Sequence, residues 1–426
     1  VFHLRKGVKF QNLAPVNGRE VAADDVIYSY NRQREQGRPN AGQLASVAGI
    51  SAPDKYTIRI SLKQPNPDFL IDLTDGHNQV VPRETVELTG DLKNGPNIGS
   101  GPWILEKFEK GGATFYKRNP DYFQQPLPYV DRVEAYNNFS DSTSKIAAFR
   151  TGKLDVLEGL GPQDRDSVVK ANPKILVQDD LRPTTQILSL KQDRPPFNDV
   201  RVRQAISKAI DREQVRVAAW GGQGWMHAGV NVGGEFFLPE AELKQRYQRD
   251  LAGARKLLAD AGHGSGLDFE ILLGPNRPED TTSAELLVAQ LRESGINARL
   301  NVLDYPRYVQ QVLTRGEFTA AAYGNYSSLP TPNAVLNGLF TTGSSRNINA
   351  IKDAALDRMI AEQGAEQDKA KRKAKVQEIQ RYILDQALLP VVHANTEIAM
   401  LQPTVREWYP WLGYDHIKYA YVWFDK

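Results

Sequence analysis

A strand–helix–strand pattern in the second half of the chain constrains its fold more than any other feature of the sequence. Residues 267–273 predict a strand, residues 283–294 predict a helix that ends at Gly295, and residues 296–302 alternate apolar and polar side chains as a second strand does. Two strands joined by a helix in this way pair in parallel through a right-handed crossover. The sequence therefore predicts an α/β fold.

Longer helices alternate with strands from about residue 187 onward. Asp199 and Asp250 each stand just before a run of apolar residues at helical spacing, where an Asp side chain can cap the first turn. The other elements predicted in this region are a strand at 318–323 and two helices, around 353–363 and 366–386.

The first part of the chain follows a different pattern. Residues 1–185 predict mainly short strands and turns, and residues 56–63 alternate strictly, as expected of a half-buried strand. Residues 390–426 return to an aromatic, strand-like composition. A β-rich region, an α/β region and a β-like return together predict two lobes joined by more than one crossover.

Composition excludes several classes of function. The chain has 426 residues with 53 Lys+Arg and 51 Asp+Glu, a formal charge of +2, so no basic surface for nucleic acid is expected. It contains no Cys, which removes disulfides, thiolate metal sites and thiol nucleophiles. No stretch approaches the roughly 20 apolar residues of a membrane helix.

Motifs for catalysis, metals and cofactors are also missing from the sequence. The six His residues never occur at the i, i+4 spacing of a zinc-protease helix, and no G-x-S-x-G elbow occurs. Ser142-Thr143-Ser144-Lys145 fits S-x-x-K, but without a K-T-G partner it is better explained as a helix cap. Gly221-Gly222-Gln223-Gly224 lacks the rest of a phosphate loop. We therefore expect no enzyme activity, no metal and no cofactor.

Five features spread along the chain match the signature of one known family. They are residues 2–10 (F-H-L-R-K-G-V-K-F) with 23–29 (A-D-D-V-I-Y-S), then 99–103 (G-S-G-P-W), 119–123 (N-P-D-Y-F), 152–156 (G-K-L-D-V) and 196–206 (P-F-N-D-V-R-V-R-Q-A-I). In this order they resemble the bacterial ABC-importer solute-binding proteins of family 5, which include oligopeptide, dipeptide, nickel and opine binders. The resemblance covers nearly the whole chain.

The resemblance implies a particular architecture. It is a two-lobe, periplasmic-binding-protein-like α/β clamshell of type II, in the large cluster with an extra subdomain, with mixed sheets flanked by helices. Lobe one is expected at residues 1–187, an α/β lobe two at 188–395, and a return to lobe one at 396–426. Family members carry several dozen residues before the first matching segment, so the N-terminal part of lobe one is expected to be missing here.

The resemblance also implies a function. The chain would be the substrate-binding component of an ABC importer, capturing a peptide or peptide-like solute between its lobes and delivering it to the transmembrane permease subunits. It would act as a monomer, in the periplasm or otherwise outside the cytoplasm, associated with the membrane through the transporter. Lobe closure around a solute requires only differential affinity, so no catalytic group is needed.

The loop after strand 318–323 is the first candidate for solute contact. In peptide binders of this family it carries G-W-x-x-D, whose Asp pairs with the peptide amino terminus. Aligning Gly324 with that Gly places Asn325 at the Trp and Ser328 at the Asp, with Tyr326 between them and Tyr323 just before. The amine anchor is then absent, and a buried ammonium without a partner costs about 3–5 kcal/mol. The neutral side chains Asn325, Tyr326 and Ser328 instead suit hydroxyls, amides or another neutral polar group.

Four further residues are candidates for the site. Trp225 lies in a Gly-rich loop, Phe69 lies beside Pro65 and Pro67, His393 follows an apolar strand near the expected lobe crossing, and Trp408 belongs to an aromatic cluster near the C-terminus. Aromatic side chains provide contact area for a solute, although each of these residues could equally serve packing.

The sequence is compatible with several classes of ligand. A peptide is the family default, and the altered loop favours a non-peptide solute such as an oligosaccharide, opine or metal chelate; the last would require His393 or His227 to face the cleft. A hydrolase on a related scaffold is a more remote alternative, since no nucleophile–base pair is recognisable.

Overall fold

The computed structural model describes the chain except for residues 36, 37, 39, 40, 94, 137, 138, 140, 181–184, 230, 276, 327–330, 395, 396, 410–416 and 426. The strands are β1 (Phe2–His3), β2 (Val47–Asp54), β3 (Thr57–Leu62), β4 (Trp103–Phe108), β5 (Ala113–Arg118), β6 (Arg132–Tyr136), β7 (Val156–Leu160), β8 (Leu176–Asp180), β9 (Thr185–Leu190), β10 (Leu267–Leu273), β11 (Ile296–Val302), β12 (Ala321–Tyr326), β13 (Val391–Ala394), β14 (Glu397–Leu401), β15 (Val405–Arg406) and β16 (Trp423–Phe424).

The α-helices are α1 (Ala23–Gln33), α2 (Phe69–Asp72), α3 (Arg83–Thr89), α4 (Ser142–Arg150), α5 (Pro162–Ala171), α6 (Val200–Ala209), α7 (Arg212–Trp220), α8 (Glu240–Arg246), α9 (Leu251–Asp260), α10 (Pro278–Glu293), α11 (Tyr305–Tyr308), α12 (Pro332–Leu339), α13 (Ala354–Ala365) and α14 (Lys369–Asp385). Short 3-10 segments lie at Ala41–Leu44, Gly234–Phe236 and Ile417–Ala420, and Val309–Thr314 continues α11 as a π-helix.

The predicted strand–helix–strand unit is confirmed. β10 and β11 pair in parallel over their full length, with Leu267 opposite Ile296, and α10 connects them. The predicted caps are confirmed as well, since Asp199 accepts a hydrogen bond from the backbone N–H of Arg201 and Asp250 accepts one from that of Gly253. These elements form as local pattern predicts because each depends on residues close together in the chain.

A five-stranded sheet in the order β11-β10-β12-β9-β13 forms the centre of the largest body of the molecule. Its two faces bury different cores, because successive strand residues point to opposite sides. On β9, Leu188 packs in a cluster with side chains of α6, α7, α9 and α10, whereas its neighbour Ile187 packs in a cluster with α12, α13 and α14. We call this sheet with its helices the five-stranded body.

Four smaller sheets complete the architecture. Their orders are β1-β3-β2, β4-β5-β6, β7-β14-β8 and β15-β16. The first, with α1 and α3, forms what we call the N-terminal body; α1 packs on it through Ala23, Val26 and Tyr30. The sheet β7-β14-β8 packs against α4 and α5 through a separate core that includes Phe149, Val168 and Met400.

Among the described residues, none of the helices combines the length and apolar character required to cross a bilayer.

Candidate functional site

The chain passes between two sheets at two adjacent places, which we call the crossing. On one side β8 pairs antiparallel with β14, with Asp180 opposite Glu397. On the other side β9 pairs antiparallel with β13, with Thr185 opposite Ala394. The connecting residues, 181–184 and 395–396, lie outside the described residues. The start of β9 and the end of β13 are therefore the points at which the backbone leads from the five-stranded body to the sheet β7-β14-β8.

The same sheet edge receives the end of β12. β12 runs antiparallel to β9, with Tyr326 opposite Thr185 and Asn325 opposite Gln186. The register of three strands thus brings the backbones of the predicted site residues Asn325, Tyr326 and His393 to one edge, beside the crossing. The side chains of Asn325 and Tyr326, like all of Ser328, lie outside the described part of the structure.

The strand that precedes the candidate loop differs from its prediction. The sequence pattern placed it at 318–323, but the observed strand is Ala321–Tyr326. Asn325 and Tyr326 belong to the strand rather than the loop, because β9 offers Gln186 and Thr185 as ladder partners for them. Strand ends of this kind are set by the neighbouring strand, which local alternation does not reveal.

Tyr323 lies in the interior of the five-stranded body. Its hydroxyl donates to Gln186 Oε1 at 2.8 Å, and Gln186 Nε2 donates to Asp280 Oδ1 at 2.7 Å. Burial, and secondarily the charge of Asp280, raises the pKa of Tyr323 well above its usual value, so the phenol stays neutral and keeps its proton for Gln186. This buried chain of hydrogen bonds fixes the start of β9 against α10 and so stiffens the edge of the site.

His393 is aimed into the five-stranded body by an irregularity in its strand. The ladder between β13 and β9 shifts register between Val391 and His393, and such a bulge changes the direction of the side chain that follows. The imidazole is fully buried and stacks on Trp220 with ring centroids 4.9 Å apart. Burial lowers the pKa of His393 to about 3, and the positive charge of Arg216 adds to the effect. It is therefore a neutral ring at physiological pH.

Gly224 allows the loop after α7 to pass directly over this ring. Its φ is +96°, a backbone conformation that residues other than Gly rarely adopt. A Cβ at this position would collide with the His393 ring and lie 2.6 Å from the carbonyl oxygen of Ala394. The next residue, Trp225, then donates its backbone N–H to the same carbonyl at 3.1 Å. The loop is thereby fixed to the last residue of β13, at the crossing.

Trp225, His227 and Phe237 form an aromatic cluster at the same place. The Trp225 ring lies 5.0 Å from each of the other two rings, between centroids. A 2.6 Å hydrogen bond joins His227 Nε2 to Thr185 Oγ1, the first residue of β9. Burial lowers the pKa of His227 to about 3, so this ring is neutral too. Trp225 is half-buried, whereas His227 is buried.

Several polar atoms of these rings have no hydrogen-bond partner among the described residues. They are Trp225 Nε1, His227 Nδ1 and both ring nitrogens of His393. Buried polar groups are nearly always hydrogen-bonded in native proteins, so these atoms are expected to find partners among groups other than the described side chains. Trp225 Nε1 and His227 Nδ1 belong to adjacent rings, and together they form an uncharged, buried pair of hydrogen-bonding atoms among aromatic faces.

The remaining predicted site residues lie elsewhere. Phe69 packs in the core of the N-terminal body with Val26 and Ile58. Trp408 is buried near the C-terminus among Leu401, Val405 and Val422, and the Lys418 ammonium lies 4.8 Å from its ring centroid. Phe69 and Trp408 thus belong to cores other than those of the five-stranded body. The backbone carbonyl of Trp408 accepts a hydrogen bond of 2.9 Å from Gln178 Nε2 of β8, the strand that leads to the crossing.

Among the described residues, no three His, Asp or Glu side chains are grouped so that they could hold a metal ion. The buried His227 and His393 have different ring partners: His393 stacks on Trp220 of α7, and His227 stacks on Phe237 with centroids 6.2 Å apart.

Sequence reasoning missed three residues of this region: Thr185, Gln186 and Trp220. Each acts through a partner far away in the chain, such as His227 for Thr185 and Asp280 for Gln186. None of the three has a local sequence signal, since β9 mixes polar and apolar residues and a Trp at the end of a helix is ordinary core composition.

Residues 1–347 match the family described as bacterial extracellular solute-binding proteins, family 5 middle. The chain is 27% identical over 424 residues to the probable di/tripeptide-binding protein 5 of Pseudomonas aeruginosa (strain UCBPP-PA14), covering 92% of this chain and 78% of that protein.

Two solved structures have the same fold. One is the periplasmic binding protein DppA from Helicobacter pylori in complex with peptide STSA, with a TM-score of 0.86, 22% identity, and coverage of 100% of this chain and 86% of that one. The other is the binding protein AgaA from A. tumefacien R10 in complex with agropinic acid, with a TM-score of 0.88, 20% identity and the same coverage, 100% and 86%. The expected two-lobe α/β fold of periplasmic binding proteins is confirmed.

Members of the matched family are solute-binding proteins that act outside the cytoplasm, and the match extends over residues 1–347 of 426. The chain therefore belongs to the bacterial extracellular solute-binding proteins of family 5.

Proposed function

We propose that this chain is the substrate-binding component of an ABC importer and that it captures a peptide or peptide-like solute at the crossing. The observation that carries the proposal is the sheet edge at which β9 begins and β12 and β13 end, since the crossing, the candidate loop and the aromatic cluster all meet there. Ligand sites of this kind combine aromatic area with a few oriented polar groups.

The proposal includes an assignment of lobes. The sequence placed the lobe boundaries after residues 187 and 395. Because β9 begins at Thr185 and belongs to the five-stranded sheet, we place the first boundary before Thr185, so that residues 185–187 join the second lobe. The protein acts as a monomer outside the cytoplasm, docks on transmembrane permease subunits, and releases the solute chemically unchanged.

The chemistry of the aromatic cluster limits what the solute presents there. Both imidazoles are neutral because burial lowers the pKa of His227 and of His393 to about 3. A neutral imidazole offers one donor and one acceptor, and the Trp225 indole offers one donor. The part of the solute that meets this cluster is therefore an uncharged hydrogen-bonding group, such as a peptide amide or a hydroxyl.

A non-peptide solute, such as an opine, is a second candidate. It is favoured by the Ser at position 328, where the peptide-binding pattern has the Asp that pairs with the ligand amine. The solved structure of AgaA contains agropinic acid on the same fold.

A panel of solutes tests the proposal by thermal shift and titration calorimetry. We expect either the peptide Ser-Thr-Ser-Ala and di- and tripeptides, or agropinic acid, to raise the melting temperature, since a solute at 100 times its Kd stabilises the folded state by about 2.7 kcal/mol. Oligosaccharides and a nickel–histidine chelate complete the panel. If every class leaves the melting temperature unchanged, the transport function is refuted.

A variant pair places the bound solute. Trp225→Ala removes the half-buried indole at the crossing, and we expect it to weaken the solute identified by the panel at least tenfold, about 1.4 kcal/mol. Trp423→Ala removes an indole that is 41% exposed on β16 and serves as the matched control. Equal affinities for the two variants would show that the solute binds away from the aromatic cluster.

A further inference from the structure

A buried ion pair joins the N-terminal body to the five-stranded body. Arg372 Nη1 donates to Asp68 Oδ1 at 2.6 Å and Arg372 Nη2 donates to Asp68 Oδ2 at 2.5 Å, so the pair is bidentate. Each side chain is only 5% exposed. In sequence the two residues are 304 positions apart.

Each partner is anchored in a different hydrophobic core. Asp68 immediately precedes Phe69, whose ring packs with Val26 and Ile58 in the N-terminal body. Arg372 is on α14, and Val376, one turn later, packs in the cluster of α12, α13 and α14. The ion pair is therefore a contact between two separately packed units.

The contact also holds the beginning of α12. The backbone N–H of Asn333, in the first turn of that helix, donates to Asp68 Oδ2 at 2.9 Å, and Asn333 Nδ2 donates to Asn66 Oδ1 at 2.6 Å. Gln363 Nε2 donates to Asn333 Oδ1 at 2.7 Å. A carboxylate at this position satisfies a free N–H and interacts favourably with the helix dipole.

The position of α12 links this contact to solute capture. α12 begins at Pro332, directly after residues 327–330, and β12 ends at Tyr326 directly before them. The candidate solute loop is thus attached at one end to the sheet edge at the crossing and at the other to a helix start held by Asp68.

The energetics of the pair suit a reversible contact. Removing two charges from water costs about as much as their attraction returns, so an intact buried pair adds little net stability. Removing one partner, however, leaves the other charge buried alone, which is strongly unfavourable. When the two bodies separate, both groups regain water, so a one-sided variant shifts the equilibrium toward separation.

We propose that Asp68 and Arg372 form an interlobe latch: positioning residues that hold the two bodies together in a fraction of solute-free molecules and fix the start of α12 for solute capture. The inference rests on the proposed solute-capture function, and its test is made without any solute, so that failure of one does not imply failure of the other.

Single-molecule fluorescence transfer between the two bodies tests the latch. The chain has no Cys, so Leu88→Cys on α3 and Arg358→Cys on α13 introduce two unique labelling sites on exposed residues. We expect the wild-type background to show a high-transfer state, and Asp68→Asn or Arg372→Gln to lower the ratio of high- to low-transfer molecules at least tenfold. The double variant should lower it no further than the single variants, because the pair acts as one unit.

The matched control is Arg381→Gln on the same helix. Arg381 forms a bidentate pair with Glu242 at 2.9 Å for both bonds, but Glu242 belongs to the same five-stranded body. This control should leave the transfer distribution unchanged. A wild type without a high-transfer state, single variants identical to wild type, or a control that shifts as far as they do would each overturn the latch.

Hydrogen exchange gives a second, independent measurement should a variant fold poorly. In Asp68→Asn, the amides at the start of α12 should exchange at least tenfold faster than in wild type, whereas those of α9 should not change. Unaltered exchange at Asn333 and Ala334 would contradict the assignment of Asp68 as the residue that fixes this helix.

Discussion

At the scale of single residues, the crossing depends on close contacts that leave no room for larger side chains. Gly224 lies against the His393 ring and the Ala394 carbonyl at a φ of +96°. The whole loop up to Trp225 is positioned by this contact. Gly224 therefore combines a conformational and a steric requirement, which can be separated by experiment.

Gly224→Ala should lower the free energy of unfolding by roughly 2–4 kcal/mol, because the added methyl group is both strained and in collision. Gly222→Ala is the matched control: its φ is +81°, but the nearest atom to an added Cβ is Arg216 Nη1 at 3.5 Å. We expect this control to lower the free energy of unfolding by about 1 kcal/mol. Urea denaturation measures both, and equal losses would mean that the close approach to His393 does not exist.

The neutral state of His393 has a consequence for acid stability. Its pKa in the folded protein, about 3, lies below the usual 6.5, so the unfolded chain binds the additional proton and the free energy of unfolding falls as pH falls from 6.5 towards 3. His393→Phe keeps an aromatic ring beside Trp220 and removes the titration. We expect the free energy of unfolding of the variant, relative to that of wild type, to increase by up to about 1.4 kcal/mol for each pH unit below 6.5.

Denaturation curves at several pH values check this difference. His3→Phe is the control, since His3 is exposed and its removal tests the loss of an imidazole without burial. A constant difference between His393→Phe and wild type across the range would show that His393 is accessible to protons in the folded protein.

At the scale of elements, the contact between α2 and α12 contains a second carboxylate. Asp72 Oδ1 accepts a hydrogen bond from Thr331 Oγ1 at 3.2 Å, and Thr331 is the residue whose side chain caps α12. Burial raises the pKa of Asp72 to about 6, a hydrogen bond from Asn66 opposes the rise, and the charge of Asp68 adds to it. Thr331 and Arg372 also face this group and lower its pKa to a smaller extent.

Asp72→Asn should therefore alter the pH dependence of stability in the direction opposite to His393→Phe. The folded pKa, about 6, exceeds the usual 3.8, so wild-type Asp72 stabilises the folded state below the lower value and loses that contribution as pH rises through 6. The free energy of unfolding of wild type, relative to that of Asp72→Asn, should increase by roughly 2 kcal/mol as the pH is lowered from neutral to 4. Denaturation midpoints of the two proteins at several pH values measure this difference. A wild type that becomes less stable than Asp72→Asn as the pH falls would contradict the burial of this carboxylate.

Elements that depend on neighbouring residues were predictable from the sequence, and elements set by distant partners were not. The caps at Asp199 and Asp250 and the pair β10–β11 were predicted correctly, because each signal lies within a short stretch. The end of β12 was placed three residues too early, because its last residues are in the strand only through their pairing with β9.

The candidate site divides in the same way. The sequence pointed to Trp225, His393 and the end of β12, which the sheet register brings together at the crossing. Asp68 and Arg372 could not be found from the sequence, since 304 positions separate them and each looks like an ordinary surface charge. A buried ion pair of this kind is visible only once tertiary packing is known.

At the scale of the whole molecule, the paired strands on both sides of the crossing set the geometry of any relative motion. Ala394 is fixed opposite Thr185 on one sheet, and Glu397 is fixed opposite Asp180 on the other. The tether between Ala394 and Glu397 consists of only three Cα–Cα steps and reaches at most about 11 Å when fully extended. In the proposed two-lobe motion we expect the lobes to turn about this tether rather than translate, so that displacement grows with distance from it.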